Sequence, residues 1–156
     1  MWEKSTFLVV GALLGWFLQQ YRVARSEDAA LINEHIKDIE KFCDAAQAYW
    51  LKVPASQDEE RAAAAKVRAA HAATTHLYSE MDSLCSAEAS KYREMSLELF
   101  NLATGGAFES SRTSIDAERA IDIYDLTAQI VHLLRRARRD VLSLGRLFHR
   151  AIDVGA

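Results

Sequence analysis

INEHIKDIEKFCDAAQAYWLKV, residues 32–53, decides the fold. Its apolar positions fall at Ile32, Ile36, Ile39, Cys43, Ala46, Trp50 and Val53, in alternating steps of four and three. A helix of about 3.6 residues per turn gathers such positions into one stripe, whereas a half-buried strand needs alternation in twos. Phe42 and Tyr49 widen the stripe beyond a strict two-stranded coiled-coil seam, so the helix is expected to pack within a bundle.

Reading toward the C-terminus, Pro54 is expected to end this helix, and Ser56 with Glu59 forms a capping box for the next. An alanine-rich helix is expected over residues 57–84, with Val67, Ala70, Thr74, Leu77, Met81 and Leu84 as its buried stripe. The pattern breaks around Cys85 and Ser86, and Tyr92, Met95, Leu99 and Leu102 carry a third stripe. Gly105 and Gly106 stop that helix, because glycine adopts the left-handed conformation at little cost. Thr113 or Ser114 is expected to cap a final helix that begins near Asp116 and runs toward Val154, with Ala120, Ile123, Thr127, Ile130, Leu134, Ala137, Val141 and Leu144 along one side. A single proline and six glycines exclude a sandwich or barrel, which needs turn residues about every 8–12 positions.

Toward the N-terminus, residues 5–18 read STFLVVGALLGWFL, and no charge interrupts the 17 residues between Lys4 and Arg22. That window would rise roughly 25 Å as a helix, at the short end of what crosses a hydrocarbon core. Trp2, Trp16 and Tyr21 suit interfacial belts. A cleaved signal peptide shares the basic start and apolar run, but QQYRVAR (residues 19–25) offers no small-x-small cleavage site. A buried helix that is apolar on all faces would need a larger core than 156 residues provide. The expected architecture is therefore all-α: a single N-terminal transmembrane helix with its flanks over residues 1–25, followed by an antiparallel bundle of three or four helices over residues 26–156. Either Ser26-Glu27-Asp28 caps a new helix, or the anchor continues as one rod. Arg22, Arg25 and Lys37 against Lys4 orient the N-terminus outside and the bundle on the cytoplasmic side of an inner membrane. Gly11 and Gly15 lie in the small-xxx-small spacing that lets helix backbones approach, which points to a homo-oligomer within the bilayer.

Charge is uneven along the chain: residues 1–25 carry +2 and residues 135–156 carry +4, against a total of −3. The C-terminal excess comes from Arg135, Arg136, Arg138, Arg139, Arg146 and Arg150, beside Leu142, Leu147, Phe148 and Ile152. Such a cluster can complement a helix C-terminus or bind phosphate. With only Phe148 nearby for base stacking, anionic lipid is a simpler partner than nucleic acid. The loop Gly105-Gly106-Ala107-Phe108-Glu109-Ser110-Ser111-Arg112 is a candidate docking element, with Phe108 either exposed for a protein partner or tucked onto the bundle.

No catalytic constellation is present in the sequence. Phosphate loops, GxSxG, HExxH and Glu-x-x-His are all missing, and Cys43 and Cys85 lie in apolar helical patterns without CxxC spacing. His71 and His76, five residues apart, point to different faces and suit the surface or rim better than a metal. The sequence thus implies no cofactor, no metal and no enzyme. It points to a self-associating single-pass membrane scaffold or adaptor with a protein partner, or, as the alternative, to a membrane-disrupting effector whose anchors assemble into a pore on sensing a signal.

Overall fold

A computed structural model describes residues 2–85, 88–110 and 112–143, with residues 2–9 by backbone alone. Its regular structure is α-helical throughout the described residues: α1 (Trp2–Trp50), α2 (Gln57–His76), α3 (Tyr78–Cys85), α4 (Ala89–Thr104) and α5 (Ala117–Leu142).

Helix α1 is one rod of 49 residues, about 73 Å long. Ser26 does not start a new helix, because no proline interrupts the run and the neighbouring residues continue the ladder. The helix ends at Trp50, four residues before Pro54, so Val53 leaves the seam and is exposed. Ser56 caps α2 by accepting from the Glu59 backbone N–H at 3.2 Å. The Glu59 carboxylate in turn accepts from the Ala55 N–H at 2.7 Å, one residue further back than in a strict capping box. The helix expected over 57–84 divides at Leu77, whose φ of −102° and ψ of 14° leave the helical region. Thr74 and Thr75 donate their hydroxyls to the carbonyls of His71 and Ala72 at 2.7 and 2.8 Å. Such local bonds compete with the helix ladder just before the division, a weakness that hydrophobic spacing does not report.

In keeping with a break around Cys85 and Ser86, although Ser86 itself lies outside the described residues, α3 ends at Cys85 and α4 begins at Ala89. It stops at Gly105, whose N–H donates to Asn101 O at 2.8 Å, and Gly106 takes a positive φ of 62°. Asp116, and neither Thr113 nor Ser114, caps α5 by accepting from the Arg119 N–H at 3.0 Å. Its own N–H donates to Trp50 O at 3.0 Å, so the end of α1 fixes where α5 begins. The helix is described to Leu142; the expected continuation toward Val154, including Leu144, lies outside the described residues.

The helices run up, down, up and down, with α3 extending the second leg. α1 packs along α5 and α2, while α4 packs along α5 and α3. Ile32, Ile36, Ile39, Cys43, Ala46 and Trp50 of the α1 seam are buried, together with Phe42 and Tyr49. They form one core with Ile123, Ile130, Leu134 and Val141 of α5 and Tyr92, Met95 and Leu99 of α4. α2 contributes Ala64 and Val67, small side chains that let it lie close to α1. Both cysteines are core residues.

The expectation of a transmembrane helix is not met: no helix among the described residues is long and apolar enough to cross a membrane. The apolar run of residues 5–18 rises only about 21 Å as a helix, against a hydrocarbon core of about 30 Å. Glu3 and Lys4 precede it, and Gln19, Gln20 and Arg22 follow, so a longer window gathers polar side chains.

Candidate functional site

Two parts of the molecule carry features beyond packing. The first is the N-terminal stretch of α1. Among its residues from Val10 onward Ala29 is the first that is buried, and α5 ends near the same level, where Arg138 donates to Asn33 Oδ1 at 2.7 Å. Residues 10–20, N-terminal to the partly buried Tyr21, Arg25 and Asp28, therefore project from the bundle. Residues 10–20 are exposed around the whole helix, and Val10, Leu13, Leu14, Trp16, Phe17 and Leu18 lie among them. Gly11 and Gly15 stand in open space, with nothing among the described residues within 4 Å of a Cβ built on either.

The arginine cluster sits at the base of this projection. Arg135 lies 3.9 Å from Glu40, and Arg136 lies 3.0 Å from Glu88. Arg138 is spent on Asn33, while Arg139 is exposed and joins none of the ion pairs among the described residues. Arg146 and Arg150 lie outside the described residues.

The second part is the far end of the bundle, where the 105–112 loop closes over α1. Phe108 packs on Tyr49 and Trp50, with ring centroids 4.7 and 6.5 Å apart. Glu109 pairs with Arg68, and its N–H donates to the Tyr49 hydroxyl at 2.8 Å. The Arg112 side chain is buried; its guanidinium lies 4.1 Å from the Tyr49 ring centre and donates to Tyr49 O and Lys52 O at 2.5 and 3.0 Å. Glu60, equally buried, lies 3.8 Å from Arg112 Nε and accepts from the Tyr49 hydroxyl at 3.2 Å. Arg119 also lies over the Trp50 ring, 4.3 Å from its centre, and donates to Gly105 O at 2.7 Å, while the Trp50 indole donates to Ala103 O at 2.9 Å. Gly105 and Gly106 make the turn that presents these carbonyls. Phe108, Glu109 and Arg112 of the candidate docking loop are thus engaged within the chain.

Sequence patterning missed a buried polar pair in the middle of the bundle. His35 lies on the α1 stripe, three residues after Ile32 and four before Ile39, and is fully buried. Its Nε2 is 2.6 Å from the Tyr92 hydroxyl of α4, on the far side of the core. Burial lowers the His35 pKa to about 4, against a smaller opposing pull from Asp38, and burial also raises that of Tyr92. At neutral pH the pair is an uncharged imidazole beside a protonated phenol, suited to hydrogen bonding. His71, expected at a rim, is half-buried between Phe42 and Phe100, with centroids at 5.4 and 4.3 Å. Burial lowers its pKa as well. No group of three or more His, Cys, Asp or Glu among the described residues is arranged to hold a metal ion.

Comparison with known proteins gives no match to any family model, curated protein or solved structure.

Proposed function

We propose that the chain is a non-enzymatic, membrane-attached scaffold that self-associates through its N-terminal helix and presents its bundle to a protein partner on the cytoplasmic side. One observation carries this reading: α1 continues as a single helix beyond the bundle, with exposed apolar side chains around its circumference over residues 10–18. A helix apolar on all sides is stable only in an apolar medium, which a bilayer and neighbouring copies of the same helix can supply together. The finer form of the proposal, a crossing with the N-terminus outside, asks the bilayer to thin around a short segment. Arg22 and Arg25 on the bundle side favour that orientation, and Arg135, Arg136 and Arg139 near the base add attraction for anionic lipid.

The test is fractionation of the full chain expressed in bacteria. The parent is expected in the membrane fraction after alkaline carbonate washing, and replacing Leu13, Leu14 and Phe17 with Glu is expected to release it. Release of the parent by carbonate would sink the proposal. A cysteine at position 3 that reacts with an impermeant maleimide from outside intact cells would establish the crossing. Collapse of the membrane potential on expression, instead of harmless expression with a co-purifying protein, would replace the scaffold with a pore-forming effector.

A further inference from the structure

The bundle is incomplete on one side. α2 and α4 face each other there with few contacts, since α3 bridges them at one end and the ring of His71 meets Phe100 midway. Behind these rings lies a cavity of about 430 Å³, floored by Ile39, Phe42 and Ile130. That volume falls within the range of about 300–1,000 Å³ usual for small-molecule sites.

The lining has a definite chemistry. Phe42, His71, Tyr78, Tyr92 and Phe100 supply rings, and no Asp, Glu, Lys or Arg is among the lining residues. The hydroxyls of Thr74 and Thr75 are already returned to their own helix. Among the buried polar atoms of lining residues, His35 Nδ1 has no partner, and Ser96 Oγ has only the Tyr92 hydroxyl, which His35 Nε2 also engages. Buried polar groups left unpaired are strongly disfavoured, so in native proteins a water or a ligand generally meets them.

We propose that this cavity binds a neutral aromatic small molecule bearing one hydrogen-bonding oxygen, with its rings among the aromatic side chains and its oxygen accepting from the Ser96 hydroxyl. Aromatic ligands suit walls that offer both ring faces and ring edges. A charged ligand would enter a site without a counter-ion, because no Asp, Glu, Lys or Arg lines it and burial disfavours the charged forms of His35 and His71. The site is independent of the membrane-facing part of α1, and it stands or falls separately from the scaffold proposal.

Benzophenone, a neutral diaryl ketone that inserts into nearby C–H bonds on irradiation, is a direct probe. Irradiated with the full chain in mild detergent, it is expected to label saturably the peptides carrying Phe42, His71 and Phe100. Thr74→Trp fills the cavity from α2, and Leu97→Trp covers its mouth from a side chain that is 62% exposed and outside the core. Each is expected to lower labelling of those peptides by about ten-fold, the loss that removal of about 1.4 kcal/mol of binding gives. Ser96→Ala is expected to weaken labelling without changing its location. Label confined to residues 10–18, non-saturable label, or label unchanged in a filled variant that melts like the parent would overturn the proposal and leave a water-filled gap. Should Thr74→Trp fail to fold, Leu97→Trp decides.

Discussion

At the scale of single residues, the most demanding group is Arg112. Its guanidinium lies among Tyr49, Trp50 and Glu60, and Nε and Nη1 have no hydrogen-bond partner. Removing it strips the buried Glu60 carboxylate of its neighbouring cation, and breaking such a pair typically costs about 3–5 kcal/mol. Arg112→Ala is expected to lower unfolding free energy in urea by roughly that amount, and a loss below about 0.5 kcal/mol would place Arg112 on the surface. His35 gives a pH signature. Its folded pKa of about 4 lies below the usual histidine value of about 6.5, so the unfolded chain takes up protons first as the pH falls. The stabilising contribution is complete above about pH 6.5, and about 3 kcal/mol is lost on acidification toward pH 4. His35→Gln is expected to flatten this part of the stability profile, measured by urea midpoints at a series of pH values.

At the scale of elements, one face of α1 organises the bundle. Ile39 is 3% exposed in the middle of that face, while Lys37, two residues earlier, is exposed to solvent. An aspartate at position 39 would bury an unpaired charge, a penalty of several kcal/mol against a total stability of about 5–15 kcal/mol. Ile39→Asp is therefore expected to abolish cooperative unfolding followed by circular dichroism, with Lys37→Asp within about 0.5 kcal/mol of the parent. Normal melting of Ile39→Asp would reverse the assigned face of α1. The division between α2 and α3 is the element that periodicity conceals. The stripe from Val67 to Leu84 continues through Leu77, but Met81 and Cys85 are buried on a separate short helix packed against α4. Hydrophobic spacing records which face is buried and is silent about local competition from threonine hydroxyls.

At the scale of the whole molecule, the bundle and the projecting part of α1 divide the work. The bundle gathers most of its large apolar side chains into one core, whereas residues 10–18 leave theirs exposed. Gly11 and Gly15 lie in open space on that projection, so bulky groups there fit the isolated chain and obstruct only a close neighbour. Gly11→Ile with Gly15→Ile is expected to leave thermal unfolding of the bundle unchanged while weakening crosslinking between copies in membranes. An unchanged oligomer distribution would remove these glycines from assembly.

The sequence by itself determined the helical class, the buried faces of α1 and α5, and the stops at Gly105 and Gly106. Each of these follows from local chemistry: a stripe at helical spacing, a capping side chain, or a glycine free of Cβ strain. Tertiary structure decided which polar residues the interior accepts. His35 reads as an ordinary polar position until Tyr92, 57 residues away, supplies a hydroxyl across the core. Arg112 reads as part of an exposed loop until Tyr49, Trp50 and Glu60 close around it. Asp116 takes the capping role from Thr113 and Ser114 because the last carbonyl of α1 holds its N–H in place. Burying a polar group is tolerable only when distant residues complete its hydrogen bonds or charge, and periodicity along one chain carries no record of those partners.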